Sequence, residues 1–123
     1  MKTIRYILSA LLLAGAGLAQ AEQAMAGIGV ATCDVWLNAR KTPQPDREAV
    51  IEGLVVAWVQ GFLSSKNATG AKERGMVLDV PPPTSIELVM DKICGDNPNW
   101  KIYLAADTFA TVLIGQYRGN GRK

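Results

Sequence analysis

The stretch from Asp46 to Asn67 limits what this chain can fold into more than any other part of it. Val50, Ile51, Leu54, Val55, Trp58, Phe62 and Leu63 recur at steps of three and four, the period of an amphipathic helix. Between Leu54 and Val59 the apolar residues run almost all round, so this helix is expected at the centre with neighbours on more than one side. Asp46, after Pro45, suits an N-cap, and Glu48 puts negative charge near the positive end of the helix dipole. Gly53 and Gly61 would each cost about 1 kcal/mol against alanine in an exposed helix. Their spacing predicts a second helix packed closely against them. Trp58 and Phe62 share a face with Leu54 and Val55 and are expected as core anchors. Such a helix defines a core and no chemistry.

The N-terminus reads as a processing segment. Lys2 and Arg5 give a basic start, Ile7 to Ala14 a short apolar run, and Ala19-Gln20-Ala21 a small-x-small cleavage site. The run is shorter than the roughly 20 apolar residues of a membrane span. No cysteine at the cleavage point offers a lipid anchor, and no arginine pair marks twin-arginine export. The expectation is a signal peptide over residues 1–21 and a single exported, periplasmic domain over residues 22–123, with no stable membrane anchor. Without Lys2 and Arg5, the chain's 13 basic residues fall level with its 11 acidic ones. A neutral surface gives no footing for nucleic acid, which asks for a basic patch.

Two cysteines, Cys33 and Cys94, remain in an oxidising compartment, and the simplest reading is one disulfide between them. Closing a loop of about 60 residues removes about 4 kcal/mol of unfolded-state entropy. For a domain near 100 residues, whose core is only marginally sufficient, such a staple matters. No C-x-x-C spacing suggests a redox role.

Taken in order, Glu22 to Ala31 is small and flexible, a poorly ordered start. A first helix opens at Thr32 as cap, buries Cys33, Trp36 and Leu37, and ends near Arg40 or Lys41. Thr42-Pro43-Gln44-Pro45 is a stiff connector. The central helix frays over Ser64 to Thr69 and stops at Gly70. Lys72, Glu73 and Arg74 then look solvated, while Met76, Val77, Leu78 and Val80 return toward the core. Pro81-Pro82-Pro83 is an extended polyproline stretch. Thr84-Ser85-Ile86-Glu87 is a capping box for a helix with Ile86, Val89, Met90, Ile93 and Cys94 inside and Gly95 as its stop. Asn97-Pro98 opens the last helix, whose inner face is Ile102, Ala105, Ala106, Phe109, Val112 and Leu113, fraying at Gly115. The fold class is therefore all-α: a compact bundle of about four helices stapled by one disulfide.

Chemistry is sparse. The chain has no histidine, which removes the commonest general base and metal ligand. Ser64 and Ser65 lack a nucleophile elbow and a base. Glu48 and Glu52 share a helix face but read as solvated. The sequon Asn67-Ala68-Thr69 carries little weight behind a leader of bacterial type. No catalytic residue, metal ligand or cofactor site is expected, and the chain reads as a non-enzyme. Long structured loops often carry function, so Lys66 to Pro83 is the expected partner surface. Its charges Lys72, Glu73 and Arg74 beside apolar Met76 and Leu78 suit a protein contact.

Several segments fall in one order: Cys33 followed by Trp36-Leu37, Trp58-x-x-Gly61-Phe62-Leu63-Ser64-x-x-Asn67, a Pro/Thr-opened helix, Asn97-Pro98, and Ala105-Ala106 in a helix ending at Leu113. From Thr32 to Leu113 this resembles the periplasmic helical domains of the Tai family, the amidase-immunity proteins of type VI secretion. The resemblance implies a compact helical fold and a partner that is a cell-wall amidase effector, bound so that its active site is blocked. Val77-Leu78-Asp79-Val80 and the Cys-Asp of the first helix are also similar to Hde-type acid-stress chaperones, which implies acid-triggered opening. The cysteine spacing and the central tryptophan-glycine motif depart from that second type. An accessory part in a secretion or envelope assembly is a third expectation, and the sequence leaves the oligomeric state open.

Overall fold

The structure, a computed structural model, describes residues 25–41 and 45–120, without the side chains of 45–48, 72 and 120. The expected signal peptide over residues 1–21, the connector at 42–44, the charges of Asp46 and Glu48 and the last three residues lie outside the described residues. A 3-10 turn, Gly27–Val30, is followed by α1 (Cys33–Lys41), α2 (Pro45–Arg74), α3 (Pro83–Asp96) and α4 (Ile102–Asn120). Among the described residues there is no strand, only an isolated bridge between Thr32 and Lys101. The expected all-α bundle is the observed one.

The core gathers one stripe from each helix: Cys33 and Trp36 of α1, Val55, Val56, Val59 and Leu63 of α2, Ile86, Met90 and Cys94 of α3, and Ile102, Ala105, Ala106, Phe109 and Ala110 of α4. Cys33 and Cys94 are joined as a disulfide, Cα atoms 5.1 Å apart, tying the start of α1 to the end of α3.

The buried face of α2 is rotated from the expected one. Val50 and Leu54 are exposed, Trp58 and Phe62 are half-buried, and nothing lies within 4 Å of a Cβ added at Gly53 or Gly61. A helix that is apolar nearly all round does not reveal its inner side by periodicity. The tertiary neighbours chose the Val55–Val59–Leu63 side and left both glycines facing outward.

Helix ends also differ from the expected ones, each for a local reason. Thr32 does not cap α1: its hydroxyl donates to the Asp34 carboxylate. The N–H groups of Cys33 and Asp34 donate instead to the carbonyls of Trp100 (2.7 Å) and Pro98 (3.1 Å), so the turn before α4 satisfies the orphan donors. Helix α2 includes Pro45, which puts Asp46 inside its first turn, and runs on through Gly70. The Ser64 and Thr69 hydroxyls donate to carbonyls four residues back. The helix ends at Gly75, whose φ of 70° is the left-handed conformation of a C-terminal glycine, with the Met76 N–H returning to the Ala71 carbonyl (3.2 Å).

In α3, Pro83 is the first helical residue and Pro82 the extended cap, so the polyproline stretch is one residue shorter than expected. No capping box forms: α3 already starts at Pro83, so Thr84 lies inside its first turn, and Glu87 points toward Arg40. Gly95 does not stop α3. Asn97 does, its backbone N–H reaching the carbonyls of Ile93 and Cys94 and its side chain that of Ile93. Helix α4 begins only at Ile102, exposes Val112, and continues through Gly115. Of the start expected to be poorly ordered, residues 22–24 lie outside the described residues, and Ala26 to Gly29 are held. Trp58 donates its indole N–H to the Ala26 carbonyl (3.0 Å), and its ring fills the space a side chain at Gly29 would need.

Candidate functional site

The segment Met76–Val80 leaves the end of α2 as neither helix nor strand, yet it is firmly held. Its exposure alternates: Met76 half-buried, Val77 exposed, Leu78 buried, Asp79 exposed, Val80 half-buried. A period of two is the signature of an extended backbone. Leu78 is 3% exposed and packs inward. Asn67, eleven residues upstream on α2, fixes it from both sides: its Oδ1 accepts the Leu78 N–H at 2.7 Å, and its Nδ2 donates to the Leu78 carbonyl at 2.8 Å. One amide side chain thus does for Leu78 what a neighbouring strand would do. It also commits the nitrogen that the glycosylation sequon would modify.

Beside this segment lies an open concavity of about 610 Å³, lined by Ala71 and Gly75 of the α2 end, by Met76, Val77 and Asp79, and by Tyr117 of α4. A smaller hollow of about 140 Å³ shares Asp79 and Tyr117 with it. Pockets of several hundred Å³ admit more than one side chain. Val77 and Tyr117 stand 61% and 50% exposed on its walls, apolar surface with nothing over it.

Of the residues expected to meet a partner, the structure brings one to the concavity. Met76 lines it. Leu78 faces the core. Arg74 folds back along α2 over Gly70, one guanidinium nitrogen 3.4 Å from Asn67 Oδ1 and Nε buried without a hydrogen bond. Glu73 is exposed in the last turn of α2, and the side chain of Lys72 lies outside the described residues. Val77, Asp79 and Tyr117 line the concavity and are not among the expected contact residues. The parity of Val77 and Asp79 against Leu78 was the signal available for the first two. Tyr117 sat in a stretch expected to fray.

Two other surfaces stand out. From Ala49 to Thr69 every exposed residue of α2 is Ala, Val, Gly, Leu, Ser or Thr, a charge-free face about 30 Å long at 1.5 Å per residue. At the junction of α1, α2 and α3, Arg40 meets three carboxylates. It binds Asp91 through two nitrogens (3.0 and 2.9 Å), with Glu52 at 3.6 Å and Glu87 at 3.9 Å. Asp91 also accepts the indole N–H of buried Trp36 at 2.9 Å. The Asp91 hydrogen bonds raise the Arg40 pKa above its ordinary value; partial burial opposes them, and the charges of Asp91, Glu52 and Glu87 reinforce them. All these groups are partly solvated, so the node is a modest clamp.

Among the described residues no group of three or more Asp, Glu, Cys or His is placed to hold a metal ion, and no helix is long and apolar enough to cross a membrane. The fold and this site define a disulfide-stapled helical bundle with an extended, side-chain-pinned segment beside an open concavity. Compared with protein-family models, with curated proteins and with solved structures, the chain matches none.

Proposed function

We propose that this chain is a non-enzymatic protein-binding module of an exported, oxidising compartment, and that it contacts its partner through Met76–Val80 and the concavity beside it. The observation that carries this reading is Val77, exposed on a backbone that Asn67 fixes from behind. An apolar residue on a mobile tip loses ordering entropy on binding; one on a pinned segment has already lost it. Tyr117 adds the type of aromatic enriched in interface cores. The resemblance makes a cell-wall amidase effector the first partner to test, with inhibition by covering its active site as the expected consequence. A photo-cross-linking amino acid at position 77 should capture one dominant protein from an envelope fraction. The control is position 88 on α3, where Leu88 is the more exposed residue. Equal capture of that protein from position 88 would move the contact surface away from this segment.

A second reading, an acid-opened chaperone, is favoured by the Arg40 node. Arg40 on α1 pairs with Glu52 of α2 and with Glu87 and Asp91 of α3, so losing these ion pairs would loosen α1 from both helices. Apolar dye binding and capture of many clients in acid, with no preferred partner at neutral pH, would support it over the first.

A further inference from the structure

Both backbone groups of Leu78 are taken by one side chain. In an extended chain the N–H and C=O of one residue point to one edge, and those of its neighbours to the other. Asn67 occupies the Leu78 edge. The opposite edge therefore carries the N–H and C=O of Val77 and Asp79, and none of these four groups has a hydrogen-bond partner among the described residues. Among the described residues the Asp79 carboxylate has no ion pair or hydrogen bond either, and among them it is the one charged residue lining the concavity. Arg74, the nearest described cation in sequence, is turned away onto Gly70 and Asn67.

We infer that the Val77–Asp79 edge receives an extended, basic segment of a partner protein by strand addition. The incoming backbone exchanges hydrogen bonds with Val77 and Asp79, a lysine or arginine on it pairs with the Asp79 carboxylate, and an adjacent apolar side chain enters the concavity against Met76 and Tyr117. Backbone pairing at a free edge supplies affinity, and the side chains at alternate positions supply selectivity. Charge chooses the sign of the partner: an unpaired carboxylate among described lining residues that carry no other charge favours a cation and repels an acidic strand. This inference rests on the protein-binding reading above and adds to it the mode of contact and the chemistry of the partner.

The test uses isotope-labelled protein and two probe peptides, Thr-Val-Lys-Val-Arg-Val-Thr and its counterpart with glutamate at both basic positions, followed by amide chemical shifts. The basic peptide should shift Val77, Asp79 and Tyr117, and the acidic one should not. Val77→Pro removes an N–H that bonds nothing in the free protein, so the fold should survive it. Relative to Val77→Ala, which keeps that N–H, it should weaken the basic peptide about fivefold, the worth of one hydrogen bond. Asp79→Asn should abolish the preference for the basic peptide. Equal binding by Val77→Pro and Val77→Ala, equal binding of the two peptides, or no binding of either overturns strand addition by a basic segment. Cross-linking from position 77 is a separate readout. A partner captured there while these results fail leaves the binding reading standing; no capture removes both.

Discussion

Trp58 shows how much one half-buried side chain can organise. Its indole N–H holds the Ala26 carbonyl, its ring lies against Gly29, and it stacks on Phe62 with centroids 5.4 Å apart. Trp58→Ala should cost about 2 kcal/mol in urea denaturation, below the 3–5 kcal/mol of a fully buried aromatic, and should speed amide exchange over residues 27–31. A cost within error of zero, with exchange unchanged, would mean the turn is held by something else. Asp91 is the more sensitive member of the Arg40 node, because Asp91→Ala strands the indole N–H of fully buried Trp36. That change should destabilise by about 1–3 kcal/mol, and Arg40→Ala by less, since the carboxylates it leaves behind are partly solvated and can turn to water. The raised Arg40 pKa fixes the sign of its pH dependence. A group held protonated by folding contributes fully below its unfolded pKa and loses that contribution only as pH rises through the folded one. For an arginine that window lies in strong alkali. The stability difference between the protein and its Arg40→Ala variant should therefore stay constant from neutral to mildly alkaline pH, and a decline there would place the linkage elsewhere.

At the scale of elements, α2 decides the architecture and leaves one face uncovered. Gly53 and Gly61 sit in mid-helix with open space around them, so Gly53→Ala and Gly61→Ala should each stabilise by about 0.5–1 kcal/mol, read as a higher Tm. A loss of stability would mean a close neighbour in solution at that face. The far end of α2 works differently. Asn67→Ala should free the Met76–Val80 segment, costing about 1–3 kcal/mol and raising amide exchange at Leu78, because two buried backbone groups lose their partner. The helix count, the inner faces of α1 and α3 and the disulfide were legible in the sequence, since Cys33-Trp36 and Ile86-Met90-Cys94 present a single apolar stripe. The inner face of α2 was not, because apolar residues surround it and only the neighbours break the tie. Helix ends differ from the expected ones where a distant carbonyl takes the capping role, Trp100 and Pro98 in place of Thr32, and where α3 starts at Pro83, ahead of the expected Thr84 cap. The candidate site was half legible. Its location after α2 could be read, but the Asn67 bracket, which decides that Leu78 faces in and Val77 out, joins residues across a turn that sequence spacing does not predict.

For the whole molecule, one small core carries four helices, and the Cys33–Cys94 bond closes a loop spanning 61 positions. Reduction, or Cys33→Ser with Cys94→Ser, should cost about 2–5 kcal/mol, enough to unfold much of a domain this size at physiological temperature. On the protein-binding proposal, the pinned segment offers a surface already ordered before a partner arrives. The proposed contact surface is Val77 with Tyr117 across the concavity. The direct measurement is the affinity of the protein captured from position 77 for the wild-type chain and for Val77→Asp and Tyr117→Ala, each first shown by circular dichroism to keep its fold and Tm. Both side chains are exposed, so folding should be spared while affinity falls at least tenfold, the cost of losing a central apolar contact of about 1.4 kcal/mol or more. Unchanged affinity in both folded variants would contradict the claim.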